Sequence, residues 1–292
     1  MTGTITARIR GGHATYYLDG TKLPGGSTLA GMMPKDLTNW YAQQAAEYAV
    51  NNWDTLGQLE LLDRVKTIQG AAKAAVTKAA KRGTDCHTAM EDLANGRPTT
   101  TDDPTVLADA EAAVRLMDKW QIQPVATEIG LANLNGADQN TSELYAGTAD
   151  LVARSDLLGG QYLMDYKFGK NHYATHAIQL SAYAHATHSI VEIPQYGPRG
   201  GTLKPSYELA GPPQMNQHTA YIIHAHDGVA ELLPVCIDGW VWEAVMTACY
   251  VYWEWESRTG WNYRNSDNFA DPIGPPRTHS ADPVDPSDPA PF

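Results

Sequence analysis

Asp150 ends the run Gly147-Thr148-Ala149-Asp150, and fifteen residues later the chain reads Asp165-Tyr166-Lys167. Both stretches have strand character, over 144–154 ("LYAGTADLVAR") and 161–168 ("QYLMDYKF"), with Leu158-Gly159-Gly160 as the turn between them. Residues two apart in a strand share a face. Asp165 and Lys167 therefore project together, and a hairpin brings Asp150 beside them. Two carboxylates converging on one point suit a hard divalent cation. A lysine at their side can stabilise an anionic phosphorane or orient an attacking water. Held among carboxylates, it should stay charged.

Two helices add to this set. Gln179 and Tyr183 are four apart, hence on one helical face, about ten residues beyond the third strand. Upstream, Gly83-Thr84-Asp85-Cys86-His87 is followed by Glu91, which places His87 and Glu91 one turn apart. An imidazole aimed at the two aspartates would add a nitrogen ligand and favour Mn²⁺ tolerance over strict Mg²⁺ selection.

The elements that must position these residues can be read from periodicity and punctuation. Residues 13–23 suggest a hairpin about Asp19-Gly20. Pro34-Lys35-Asp36 opens a helix over about 37–53, the Ala-rich 57–81 gives one or two helices, and 84–94 another that stops at Asn95-Gly96. Asp103-Pro104 starts a helix over 105–120. Strands at 123–131, 144–154 and 161–168 form an antiparallel meander. A helix over 174–189, a Gly/Pro-rich loop over 194–213, a hairpin split at Asp227-Gly228 and an aromatic-rich helix over 238–257 follow. The order predicts an α/β or α+β domain with a mixed central sheet flanked by helices. A single domain is expected over 1–265, its N-terminal hairpin and helical extension reaching about 120 and its catalytic core spanning about 121–260. Repeated Asp-Pro pairs make 266–292 a disordered, acidic, Pro-rich tail.

In order and spacing, Asp150, Asp165-Tyr166-Lys167 and Gln179-x-x-x-Tyr183, preceded by helical His87, resemble the RecB-like branch of the PD-(D/E)XK nuclease superfamily. The segment "YYLDGTKLPGGSTLAGMMPKDLTNWYAQQAAEYAV" resembles the opening of actinobacteriophage exonucleases of that kind. The motifs cover about 100 residues and the looser likeness about 15–257. The resemblance implies a restriction-endonuclease-like core. It also implies metal-dependent hydrolysis of DNA, by an exonuclease of phage recombination, repair or replication. His87, Asp150, Asp165 and the carbonyl of Tyr166 would bind Mg²⁺ or Mn²⁺, and Lys167 would be the catalytic lysine. Glu128 stands where relatives often carry a strand glutamate. Gln179 and Tyr183 would support the site and touch DNA. The third motif carries Asp165 where many superfamily members have Glu. The cysteine tetrad that holds an iron–sulfur cluster in several relatives is absent, so no cluster is expected. Linear DNA with ends, and a recombinase or single-strand annealing protein, are the expected partners.

Composition sets bounds on this reading. Of 292 residues, 43 % are hydrophobic and 18 % charged, as in a globular chain. No apolar run approaches a membrane span and the start lacks a signal-peptide core, which predicts a cytoplasmic protein with no membrane partner, in host cytoplasm if phage-encoded. Cys86, Cys236 and Cys249 are too few and scattered for a disulfide framework. The net charge of −12 argues against coating nucleic acid by bulk charge, yet about a third of the excess lies beyond 266. Meanwhile 64–82 holds six cations and no acid, among them Lys73, Lys78, Lys81 and Arg82, a candidate contact to the DNA backbone.

Plainer roles compete at each position. Asp150 and Asp165 could be strand-end turn residues, Lys167 an edge-strand lysine, His87 a helix-surface residue, and Glu91 or Glu128 solvated carboxylates. Gln179 and Tyr183 could be ordinary amphipathic-helix residues, and the lysine run a solvated face. The pairs His172/His176 and His185/His188 have zinc-compatible spacing. With no Cys or acid at a familiar distance they read as surface histidines, and His224 and His226 as residues flanking the sheet. Trp240, Trp242, Tyr250, Tyr252, Trp253 and Trp255 read as core packing, or as a stacking platform for unpaired bases. Two further functions stay open: a non-catalytic DNA-binding or recombination adaptor on the same fold, and a zinc hydrolase built on the paired histidines.

Overall fold

The computed structural model describes residues 3–10, 13–33, 38–94, 96–135, 141–197 and 201–259. The helix opening at Pro34-Lys35-Asp36, the Asn95 stop and the tail at 266–292 lie outside them. Met1–Trp253 forms one compact unit; a second begins at Glu254 and is described only to residue 259.

A small antiparallel sheet comes first, from β1 (Ile5–Arg10), β2 (His13–Leu18) and β3 (Thr21–Lys22). Asp19 and Gly20 both have positive φ (49° and 83°), the two-residue turn that matches strand twist. Helices α1 (Gly26–Gly31), α2 (Thr38–Asn51), α3 (Trp53–Gly57), α4 (Leu61–Ala94) and α5 (Pro104–Lys119) follow. The Asp103 side chain caps α5 by accepting from the N–H groups of Thr105 and Val106, with Pro104 as its first residue.

The large sheet has seven strands in the order β10-β9-β6-β5-β4-β7-β8. These are β4 (Gln123–Asn133), β5 (Tyr145–Ser155), β6 (Gly160–Lys167), β7 (His188–Tyr196), β8 (Thr202–Ala210), β9 (Thr219–His226) and β10 (Val229–Cys236). All neighbours are antiparallel except β6 and β9, which are parallel. Helix α6 (Thr175–Ala184) follows β6, and α7 (Trp240–Thr259) follows β10. On one face Leu151, Met164, Tyr166, Ile223 and Ala225 pack against Cys86, Ala89 and Met90 of α4 and Val106, Ala110, Ala113 and Met117 of α5. On the other, Val152, Leu163 and Ile222 pack against Leu180, Tyr183 and Ala184 of α6. Each large apolar side chain fully buried there contributes about 1.5–3 kcal/mol. The fold is thus mixed α/β, with a mostly antiparallel sheet between helices.

Three expectations need correction. The helices expected over 57–81 and 84–94 are one helix, α4, of 34 residues and roughly 50 Å. An interior glycine costs only about 1 kcal/mol, and at Gly83 the apolar stripe Cys86-Ala89-Met90 packed on α5 outweighs it. The helix over 174–189 stops at Ala184, because the N–H of Thr187 donates to the Ala132 carbonyl and draws the chain onto the edge of β4. The loop over 194–213 is largely the strand pair β7–β8. Its apolar residues alternate at Leu203, Pro205, Tyr207 and Leu209, and Pro205 is tolerated because β8 is an edge strand.

Candidate active site

The β5/β6 ladder ends at Leu151↔Met164, so Asp150 and Asp165 are the next cross-strand neighbours. At that point Asp150 Oδ2 accepts the backbone N–H of Tyr166 at 3.0 Å. A side chain thereby takes the place of the next strand-to-strand bond. On the other side of β5, Thr127↔Leu151 and Ile129↔Ala149 bracket Glu128, which stands opposite Asp150. Three adjacent central strands therefore present Glu128, Asp150 and Asp165 in one row. Glu128 holds φ at 47°, left-handed for a residue inside a strand, a conformation that costs roughly 1–2 kcal/mol for a non-glycine.

Helix α4 adds the nitrogen. The His87 ring meets Tyr166 and Phe168 edge-on, with centroids 5.6 and 5.3 Å away. Its Nε2 lies 3.9 Å from Asp150 Oδ2. One donor atom each from His87, Glu128 and Asp150 lies within 4.8 Å of the others. Asp165 is not in that trio: its buried Oδ2 forms a close ion pair with Lys167 Nζ, poorly aligned for a hydrogen bond.

The electrostatics follow from this crowding. Glu128 reaches solvent, yet surrounding atoms strip much of its hydration. With Asp150 and Glu91 adding like charge, its carboxyl is pushed up to about 7. Burial raises the Asp165 carboxyl; Lys167 opposes the rise and Asp150 adds to it. A carboxylate row short of positive charge suits a divalent cation, and one imidazole with two carboxylates is a donor set Mn²⁺ or Mg²⁺ accepts. His87, Glu128 and Asp150 therefore fit the metal expected from the sequence.

Tyr183 sits beneath the row. A Cβ on Gly147 would lie 2.5 Å from its hydroxyl, and one on Gly26 would lie 2.9 Å from its ring, so both glycines leave the space it fills. Burial, then Asp150 and Asp165, hold its phenol far above the usual range. Buried in this way, it supports the strands from within. Gln179, one turn earlier on α6, is half-buried. Tyr166 turns its ring to the α4/α5 face.

The expected basic run lies along α4. Lys73 and Lys78 are exposed, and Lys81 pairs with Asp85 at 2.6 Å. Arg82 turns inward: its guanidinium donates to the Phe168 carbonyl at 2.9 Å and pairs with fully buried Asp109 at 2.5 Å. Asp109 also accepts the N–H of Gly228 at 2.7 Å, tying α4, α5 and the β9–β10 turn together. Asp109 carries no local sequence signal, being a lone acid on an Ala-rich face. Nor does Tyr16, whose hydroxyl lies 3.1 Å from Thr148 Oγ1 beside the row. Among the tryptophans, Trp253 is buried and donates to the Leu144 carbonyl at 2.9 Å, whereas Trp240 is 68 % exposed and no core residue. His224, read as a sheet-flanking residue, is buried and has an acidic partner in Glu231 across the hairpin, at 3.1 Å.

Comparison with models of known protein families gives no match, and no curated protein matches the chain.

Proposed function

We propose that this chain is a metal-dependent deoxyribonuclease, an exonuclease that hydrolyses phosphodiester bonds of linear DNA in phage recombination, repair or replication. In this reading its sheet and helices form a PD-(D/E)XK core. The observation that carries it is the convergence of His87, Glu128 and Asp150 beside the Asp165–Lys167 pair. Metal-dependent phosphodiester hydrolysis uses a cation site beside a positive charge, and these residues could supply both.

His87, Glu128 and Asp150 would hold Mg²⁺ or Mn²⁺. When bound, the ion supplies Lewis-acid polarisation and a more acidic water. Asp165 fixes Lys167 at the row, where its ammonium can meet the charge that builds on the phosphate oxygens. The Tyr166 N–H holds the Asp150 carboxylate in place through Oδ2, so the group would need little reorganisation to ligate. Lys73 and Lys78 offer phosphate contacts along α4; Lys81 lies six positions before His87, about 9 Å of helix.

The test is incubation of end-labelled linear DNA and covalently closed circles with Mn²⁺, Mg²⁺ or chelator. Shortened linear DNA, intact circles and no activity in chelator are expected. Lys167→Ala should lower kcat by about 10²–10³-fold, the scale of losing one preorganised charge-stabilising donor. Intact linear DNA with every metal would overturn the reading; DNA bound but uncut would point to the adaptor instead.

A further inference from the structure

A second cluster of ligating side chains lies on the other side of β6. His172, in the segment between β6 and α6, meets His224 of β9 and Glu231 of β10, and one donor atom from each lies within 4.8 Å of the others. His224 and Glu231 are cross-strand partners in the β9/β10 register, and the two imidazoles stand edge-on with centroids 5.6 Å apart.

Two close contacts orient the His224 ring. Its Nε2 lies 2.7 Å from the Gly169 carbonyl, which can only accept, so Nε2 carries a hydrogen. Its Nδ1 lies 3.1 Å from Glu231 Oε1, an atom that also can only accept when ionised. A cation entering there would meet the lone pairs of both atoms. A metal-ligating histidine usually donates its other ring N–H to a backbone carbonyl or carboxylate, the role the Gly169 carbonyl can take here and which leaves Nδ1 for the ion. Tetrahedral zinc, with bonds of about 2.0–2.2 Å to N and O, requires ligand atoms roughly 3.3–3.5 Å apart. The His224–Glu231 separation is already near that edge, and a donor atom of exposed His172 lies within 4.8 Å of the other two.

We propose that His172, His224 through Nδ1, and Glu231 form a second metal site, selective for a zinc-type cation over Mg²⁺ because two of three ligands are imidazoles. Water takes the fourth position. Where Nδ1 is protonated beforehand, that proton leaves to solvent as the cation enters. The ion fastens the segment after β6 to the β9–β10 hairpin. His224 pairs with Lys167 in the parallel β6/β9 register, so the clip closes next to the lysine of the first site.

The experiment is titration of the full-length Asp150→Ala protein, which lacks a ligand of the first cluster, with Co²⁺ followed by visible spectroscopy, then displacement by Zn²⁺. Expected is a single saturable equivalent with the intense visible band of four-coordinate Co²⁺, bleached by one equivalent of Zn²⁺, and a zinc-dependent rise in melting temperature. Adding His172→Ala or Glu231→Gln, both at exposed positions, should weaken binding about tenfold or more and abolish the zinc-dependent rise. No such band in the Asp150→Ala protein, or unchanged binding after His172→Ala, would overturn the site and assign His224–Glu231 as an imidazolium–carboxylate pair.

Discussion

Glu128 faces Asp150 across β4 and β5 from a left-handed backbone position, φ 47°, inside an otherwise extended strand. Strained residues of this kind persist where a site requires a side chain the backbone disfavours. Glu128→Gly should therefore melt higher than Glu128→Ala, by roughly 1 kcal/mol, while both lose metal affinity. Paired thermal melts and Mn²⁺ calorimetry measure the two effects separately; equal melts would show that the backbone there carries no strain.

The same carboxyl makes metal binding depend on pH. Raised to about 7 by desolvation and by Asp150 and Glu91, Glu128 is protonated in the metal-free protein below that value. A cation must displace the proton, so Mn²⁺ affinity should rise with pH through about 7 and level off above it. Without metal the sign for stability is opposite. The folded state holds this proton more tightly than the unfolded chain, so the contribution is full below the usual carboxylate range. It is lost as pH rises through about 7. Glu128→Gln should flatten both profiles, read by calorimetry and by melting across pH.

Tyr183 and Gly147 form a tight pair, with the phenol occupying the space a Cβ would need. Gly147→Ala should destabilise by about 1–3 kcal/mol through overpacking. Because the nearest atom is the hydroxyl, at 2.5 Å, Tyr183→Phe in the same chain should recover part of that loss. A double-mutant cycle by denaturant unfolding gives the coupling energy; strict additivity would place the clash elsewhere.

Arg82 compensates a buried charge on Asp109. Arg82→Ala should cost about 3 kcal/mol, since removing one partner leaves the other unpaired. Lys73→Ala, at an exposed position of the same helix, should stay within about 0.5 kcal/mol. Chemical denaturation of both variants checks the contrast.

The legible parts of this chain were those written in local pattern. The β4–β5–β6 meander, the capped α5 and the Asp227-Gly228 hairpin each carry their own punctuation, and the carboxylates at 150 and 165 follow from strand periodicity once those strands are placed. Glu128, a doubtful member from sequence, lies among the donor atoms, whereas Asp165 pairs with Lys167 instead. That exchange depends on side-chain geometry at a ladder's end, which no spacing encodes. Arg82 looked like one more cation in a basic run because its partner Asp109 is distant in sequence and near only after α4 packs on α5. His224 likewise looked unaccompanied because Glu231 meets it across the hairpin rather than along a helix.

The parallel joint between β6 and β9 also governs the order in which the molecule can assemble. The meander that aligns Glu128, Asp150 and Asp165 closes through nearby residues, but Asp165 pairs with Ile222, more than fifty residues further along. Until β9 arrives, β6 is an open edge whose Leu163 and Met164 lack their final cover, the condition under which nascent chains stick to one another. Non-local pairing of this kind is slow to form. A chain emerging from the ribosome therefore has its carboxylates in place well before Lys167 gains its β9 neighbour His224, and a truncation upstream of β9 should leave an aggregation-prone fragment in place of a merely weakened fold.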